Sequence, residues 1–136
     1  MASALDHARS LLKQKAPGTR IAVVGASNDP EKYGNIIVRH LSGQGYGVLP
    51  VNPRGGEIAG LPAFQRLEEV PDPVHVVDFV TPPEVTRRVI ETLDPSRFPV
   101  IWFQDGSFDD EVIRRAEERF PHVVHHACIM VVTRTL

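Results

Sequence analysis

A glycine, a serine and a lysine lie close together in the sequence near the start of the chain. Gly25, Ala26 and Ser27 follow the apolar residues 21–24, and Lys32 comes soon after them. An apolar run that stops at a glycine is typical of a buried strand that opens into a turn. Where such a turn leads into a helix, unpaired N–H groups and the partial positive charge of the helix start stabilise an anion, and glycine lets the backbone approach it. The pattern predicts a phosphate site here, although any parallel α/β domain can begin its first helix with similar residues.

A second cation follows the next apolar run. Residues 48–51 are predicted to form a short strand, which ends in Asn52, Pro53 and Arg54. A protein that binds nicotinamide dinucleotides would need Gly-x-Gly-x-x-Gly at the first turn and an acidic residue at this strand end, and neither is present. Arginine attracts a phosphate where an acid would repel it. The residues alone therefore predict a nucleotide with an extra ribose phosphate near Arg54 and a pyrophosphate near Ser27.

Residues with the chemistry of metal ligands cluster near the C-terminus. They are His122, His125, His126 and Cys128. On a strand, His126 and Cys128 would face the same side. Two ligands without a close carboxylate fall short of a zinc site, so no metal is expected.

No residue is placed convincingly for catalysis. Ser27 lacks the Gly-x-Ser-x-Gly surroundings of a nucleophile elbow, so a hydrogen bond to phosphate is favoured for it. Asp78 lies within an apolar run, where we expect it to pair with a backbone group or to reach water. Cys128 is interpreted as a packed residue, with oxidation sensing as the alternative. We therefore expect a protein without enzyme activity.

Short apolar runs alternate along the chain with segments of helical periodicity. The alternation predicts an α/β, Rossmann-like domain with a doubly wound, parallel five-stranded sheet and helices on both faces. Right-handed crossovers favour the strand order 3-2-1-4-5, counted along the chain, with the change of direction between strands one and four. The predicted strands are residues 21–24, 48–51, 74–80, 99–103 and 122–125, after an opening helix at residues 3–15.

Ligands of such sheets bind at the carboxyl ends of the strands, near the change of direction. Four predicted strand ends meet there, and the third and fourth ends add residues 80–83 and 104–106. The candidate ligand-binding residues are Gly25, Ala26, Ser27, Lys32, Asn52, Pro53, Arg54, Val80, Thr81, Pro82, Gln104 and Gly106.

Length and composition narrow the class of protein. With 136 residues the chain is expected to form one domain, with an N-terminal helix in residues 1–18 and a core at residues 19–131. The net charge of −2 argues against nucleic-acid binding. No apolar run approaches the roughly 20 residues that span a bilayer, and no signal peptide is recognisable. We expect a cytoplasmic protein without a membrane partner. Residues 129–132 are expected to extend or cover the sheet edge, where a second copy, as in a homodimer, or an unknown protein partner could pack.

Several short motifs occur in a specific order. They are Val24-Gly25-Ala26-Ser27, Gly45-Tyr46-Gly47-Val48, Pro50-Val51-Asn52-Pro53, Glu57-Ile58-Ala59-Gly60, Trp102-Phe103-Gln104-Asp105-Gly106 and Cys128-Ile129. In this order they resemble the CoA-binding domain family, small stand-alone relatives of the nucleotide-binding domain in the α subunit of succinyl-CoA synthetase. The resemblance covers roughly residues 19–131 and implies CoA as the ligand.

The resemblance also implies roles for single residues. The first turn would hold the CoA pyrophosphate, Arg54 would lie near the ADP phosphates, and residues 80–82 would border the adenine or the pantetheine. Many members carry an arginine after the third strand and an Asp-Arg pair before the cysteine. Here these stretches are residues 79–81 and 125–127, so charge is missing near the expected site.

The expected function is therefore a CoA-binding protein without evident catalytic machinery. It would bind CoA or an acyl-CoA through the pyrophosphate and ADP moiety. One alternative is a non-catalytic or accessory subunit of an acyl-CoA synthetase-type enzyme. Another is a sensor of NAD or another adenine nucleotide, because a glycine turn does not discriminate among these ligands.

Overall fold

The computed structural model describes residues 3–136, along which helices and strands alternate. The first helix of the described residues is α1 (Ala4–Leu12), whose start is capped by reciprocal hydrogen bonds between Ser3 and Asp6. This capping box satisfies two of the N–H groups that a helix start leaves free. The other elements are β1 (Arg20–Val24), α2 (Tyr33–Gly43), β2 (Gly47–Val51), β3 (Glu57–Ile58), β4 (Leu61–Pro62), a 3₁₀ turn (Leu67–Glu69), β5 (Val76–Phe79), α3 (Pro83–Thr92), β6 (Val100–Phe103), α4 (Asp110–Arg119), β7 (His122–Val124) and α5 (Ile129–Arg134).

A parallel sheet of five strands, in the order β2-β1-β5-β6-β7, forms the centre of the molecule. Helices α1, α2 and α5 pack on one face, and α3 and α4 pack on the other. Strands β5 and β6 are buried along their whole length, which explains why they appear in the sequence as continuous apolar runs. The predicted Rossmann-like, doubly wound sheet is confirmed. Strands β3 and β4 form a separate antiparallel hairpin.

The predicted position of the second strand is wrong. Counted along the chain, the observed order of the parallel strands is 2-1-3-4-5, so β2 lies at the edge and β5 pairs with β1. Pro50 supplies the physical reason. Its carbonyl oxygen faces away from β1 and accepts a hydrogen bond from Phe64 N–H (2.9 Å). The amide hydrogen that proline lacks would face the same way, and such a gap is tolerated at an edge but not inside a sheet.

The C-terminal segment also differs from expectation. The last strand ends at Val124, so His126 and Cys128 do not share a strand face. Residues 129–132 belong to α5, which packs against α1 and α2 and covers a face of the sheet instead of extending its edge. Within residues 3–136, no helix combines the length and the apolar character needed to cross a membrane.

Candidate functional site

The sheet changes direction between β1 and β5, not between the first and fourth strands as predicted. The two strand ends touch, because Val80 N–H donates to Val24 O at 2.8 Å. Gly25 lies at this point with a φ of +97°, a region that side chains disfavour. A Cβ on Gly25 would also lie 3.0 Å from Thr81 Cγ2. Glycine is therefore required where the first and third strand ends meet.

The backbone amides of the first turn are already engaged. Gly25 and Ala26 both donate their N–H groups to Val51 O, at 3.1 and 3.2 Å. The end of β2 therefore occupies these two amides, and the binding of a diphosphate at the first turn stays a prediction. Ser27 is fixed through its carbonyl oxygen, which accepts a hydrogen bond from Asn35 Nδ2 at 2.9 Å.

Free backbone donors lie instead at the start of α2. Within residues 3–136, the N–H groups of Tyr33 and Gly34 have no hydrogen-bond acceptor, and the N-cap residue Lys32 makes no side-chain cap. These residues border a hollow of about 290 Å³, which we call the helix-start hollow. Unpaired amides and the partial positive charge of the helix start suit this hollow to an anion. Its other lining residues are Gly25, Val80, Pro82, Asp105 and Gly106.

A second hollow of about 420 Å³, the cation hollow, lies between the first turn and the end of β2. Lys32 and Arg54 both line it, and Ser27, Asn52 and Asp29 contribute polar groups. The Asp29 carboxylate is engaged by Glu31 N–H at 3.0 Å. The cation hollow therefore carries more positive than negative charge.

Asn52 braces this hollow. Its Nδ2 donates to Ala26 O at 2.7 Å, and its Oδ1 accepts from Arg54 N–H at 2.8 Å. One side chain thus ties the first turn to the end of β2. A related bond joins Asn28 Nδ2 to Glu57 O at 2.6 Å and holds the β3–β4 hairpin against the same turn.

An apolar slot of about 360 Å³ lies on the other side of the first turn, against α3. It shares Gly25 with the helix-start hollow, so the two openings adjoin. Thr81 lines the slot. Its Oγ1 lies 2.7 Å from Thr86 Oγ1, and its carbonyl oxygen accepts a hydrogen bond from Thr86 Oγ1 at 3.2 Å. Its other walls include Val24, Val51, Pro53, Arg66, Leu67, Val85, Arg88 and Val89.

Gln104 supports the C-terminal segment. Its Oε1 accepts from Ile129 N–H at 3.0 Å, and its Nε2 donates to Cys128 Sγ at 3.4 Å. Both polar ends of this side chain are therefore used within the protein. Gln104 and Cys128 also line a hollow of about 90 Å³, the cysteine hollow.

Asp78 is fully buried in the centre of the sheet. Neither carboxylate oxygen has a hydrogen-bond partner within residues 3–136, so the expected backbone or water contact is wrong. Burial raises the pKa of Asp78 well above its ordinary value, and the charge of Cys128 adds to the rise. The carboxyl is therefore held in its neutral form over a wider pH range than an exposed one.

The structure brings most predicted residues together, but not all in one hollow. Ala26 is buried and lines none of the hollows described above. Sequence reasoning missed Tyr33, whose side chain is 63% exposed beside two hollows. It also missed Gly34, where a Cβ would overlap the Gly25 carbonyl oxygen. A glycine inside a predicted helix was the available signal, since it destabilises the helix unless close packing requires it.

Comparisons with known proteins agree with the predicted resemblance. A model of the CoA-binding domain family matches residues 19–134. The chain is 31% identical over 112 residues to the uncharacterized protein YneT of Bacillus subtilis, a match that covers 82% of this chain and 83% of YneT. It is 38% identical over 71 residues to the α subunit of an ADP-forming acetate–CoA ligase II of Pyrococcus furiosus. That match covers 52% of this chain and only 16% of the ligase subunit.

Solved structures give the same result. A conserved hypothetical protein from Pyrococcus furiosus superimposes with a TM-score of 0.78 and 42% sequence identity. The superposition covers 83% of this chain and 97% of that one. Because the family model spans nearly the whole sheet and its helices, the chain belongs to the CoA-binding domain family.

Proposed function

We propose that this protein binds CoA or an acyl-CoA at the carboxyl ends of the strands and has no catalytic activity of its own. The observation that carries the proposal is the start of α2, where the free Tyr33 and Gly34 amides border the helix-start hollow beside Lys32. A diphosphate is stabilised at such a helix start by N–H groups and the helix dipole. Membership of the CoA-binding domain family supports CoA as the molecule that supplies it.

The adjoining hollows match the remaining parts of a CoA molecule. Lys32 lines both the helix-start hollow and the cation hollow, so phosphates in the two hollows would lie close together. We assign the ribose phosphate to the cation hollow, where Arg54 offers a charge-assisted hydrogen bond. The apolar slot suits the flat adenine ring, which gains from apolar walls and needs few polar contacts.

The absence of catalysis is proposed from the chemistry of the site. The polar residues that line the helix-start and cation hollows are Lys32, Arg54, Ser27, Asn28, Asn52, Tyr33, Asp105 and Asp29, and Glu31 N–H engages the Asp29 carboxylate. None of these residues forms a nucleophile–base pair. A second candidate function is that of an accessory subunit, which would present CoA to a separate catalytic chain. The match of this chain to part of a ligase α subunit favours it.

Thermal unfolding with and without ligand tests the proposal. Free CoA at 100 times its Kd should stabilise the native state by about 2.7 kcal/mol. For 136 residues, with an unfolding entropy of about 2.1 cal/mol/K per residue, this corresponds to a rise in Tm of about 9 °C. NAD at the same concentration should give a smaller rise, because it lacks the phosphate assigned to Arg54. No rise with CoA or acetyl-CoA would refute the proposed function.

The role of Arg54 is tested with dephospho-CoA and a matched charge variant. Arg54→Gln should weaken CoA binding about ten-fold, which is about 1.4 kcal/mol, and should leave dephospho-CoA binding nearly unchanged. Lys13→Gln removes the same charge from an exposed position at the end of α1, far from the site in the fold, and should change neither affinity. Equal losses for both ligands in Arg54→Gln would place the ribose phosphate elsewhere.

A further inference from the structure

The thiol of Cys128 has a fixed position at the rim of the binding face. Cys128 is the single cysteine of the chain and is partly exposed. On one side of it, Trp102 Nε1–H donates to Ala127 O at 2.7 Å, and on the other Ile129 N–H donates to Gln104 Oε1 at 3.0 Å. Gln104 Nε2 reaches the sulfur itself at 3.4 Å. The surrounding bonds therefore orient a thiol that stays open to the cysteine hollow.

The cysteine hollow is continuous with the helix-start hollow. Tyr33, Val80 and Asp105 line both. A ligand whose diphosphate lies at the start of α2 could therefore extend its other end along Tyr33 and Val80 to Cys128. The volume of about 90 Å³ is that of a few water molecules, which suits the narrow end of a chain.

Asp78, which is buried and has no hydrogen-bond partner within residues 3–136, is a second and independent unusual group on this side of the sheet. Asp78 and Val80 are two residues apart along the third strand, so both side chains face the same side of the sheet. This is the side on which Cys128 packs. Its strand neighbour Trp102 holds the Ala127 carbonyl beside the cysteine. Burial raises the pKa of Asp78, and the charge of Cys128 adds to this rise. A buried carboxyl without a partner is unfavourable, and a redox or catalytic role is one reason for which a protein retains such a group.

We propose that Cys128 forms a mixed disulfide with the thiol end of the bound ligand. This inference rests on the proposed function, since it needs the ligand to be a CoA-type thiol. The Cys128 thiolate attacks one sulfur of CoA disulfide, the bond between Cys128 Sγ and that sulfur forms, and the disulfide bond of the ligand breaks. The second CoA leaves as a thiolate with the electron pair and takes up the proton that Cys128 released. CoA disulfide is the oxidant, so one disulfide is consumed and one is formed.

Binding of the nucleotide end makes this exchange selective. Once the diphosphate is held at the start of α2, the ligand sulfur meets Cys128 at a high effective concentration. A disulfide without a nucleotide, such as glutathione disulfide, lacks this advantage. The protein would thus retain CoA covalently under oxidising conditions and release it when thiols reduce the bond.

The test uses the reduced wild-type protein and two disulfide probes. The protein is mixed with CoA disulfide or glutathione disulfide, quenched with acid and followed by intact-mass spectrometry. We expect one added CoA per chain, with a second-order rate constant at least about ten-fold larger for CoA disulfide than for glutathione disulfide. Acetyl-CoA, which cannot exchange, should slow only the reaction with CoA disulfide. Cys128→Ser should give no adduct with either probe.

Two outcomes would overturn the inference. One is the absence of an adduct with CoA disulfide, and the other is equal rate constants for the two probes. The rise in Tm with reduced CoA, measured on the wild type in the presence of a reductant, decides the proposed function separately. A rise in Tm without a selective adduct would refute the covalent role of Cys128 and leave the proposed function standing. Equal rates without any rise would refute both.

Discussion

Replacing Gly34 by alanine should damage the fold and the binding site together. Gly34 lies in the first turn of α2, directly against the first turn after β1. A Cβ at this position would lie 3.1 Å from Ala26 Cα and closer still to the Gly25 carbonyl oxygen. Both neighbours are backbone atoms, which cannot rotate away as the end of a side chain would. Either the helix start or the turn must therefore shift.

The magnitude follows from two opposing effects. Overpacking of this kind destabilises a protein by about 1–3 kcal/mol, and contact with rigid backbone places it near the upper end. Alanine regains roughly 0.5–1 kcal/mol through its better helix propensity. The net loss is about 2 kcal/mol. With an unfolding entropy of about 0.29 kcal/mol/K for 136 residues, Tm should fall by about 7 °C.

Gly43→Ala is the matched control, because Gly43 ends the same helix. A Cβ at Gly43 would meet nothing within 4 Å, so only the gain in helix propensity remains. Its Tm should rise by about 2–3 °C, and its response to CoA should equal that of the wild type. Scanning calorimetry with and without CoA measures all of these quantities.

The response of Gly34→Ala to CoA separates site damage from general destabilisation. A shifted helix start moves the Tyr33 and Gly34 amides, so the CoA-induced rise in Tm should shrink well below the wild-type value. If Gly34→Ala were as stable as the wild type, the close contact between α2 and the first turn would be refuted. If it were destabilised but kept the full response to CoA, the diphosphate would not lie at the start of α2.

Two further changes test the interior of the site. Asp78→Asn removes an acid whose pKa is raised by burial. The wild type should lose stability as the pH rises from the ordinary pKa of Asp to the raised pKa of Asp78, because the unfolded state releases this proton first. Urea unfolding at several pH values should show that this loss is absent in Asp78→Asn, and parallel curves for the two proteins would refute the burial effect. Asn52→Ala breaks the bonds to Ala26 O and Arg54 N–H, so stability should fall by about 1–2 kcal/mol and CoA affinity about ten-fold in titration calorimetry. Unchanged affinity in a destabilised variant would show that this brace does not shape the site.

Periodicity was enough to predict the five strands of the central sheet and their parallel arrangement. The order of the strands was not predicted correctly, although Pro50 indicates that its strand lies at an edge of the sheet. A proline without an amide hydrogen fits an edge strand, whereas right-handed crossovers alone allow several orders. The segment from Ile129 to Val132 is apolar and mostly β-branched, yet it is helical because it packs on α1 and α2.

The polar details of the site depend on contacts between distant segments, so local sequence patterns could not provide them. The Gly25 and Ala26 amides are engaged because the Val51 carbonyl, at the end of another strand, reaches them. Asp78 lacks a partner because the sheet and its helices surround it with apolar side chains and bonded backbone. The residue types predicted a diphosphate site at the first turn, with basic side chains beside it. Only the fold shows which amides are free to meet the diphosphate.

The outer side of β2 also bears on how the protein behaves at high concentration. Pro50 has no amide hydrogen, its carbonyl oxygen is bonded to Phe64 N–H, and Asn52 N–H is bonded to Phe64 O. A strand from another molecule would find few free partners along this border. Sheet growth between molecules, a common first step of aggregation, is thereby disfavoured beside the very loop that carries Arg54.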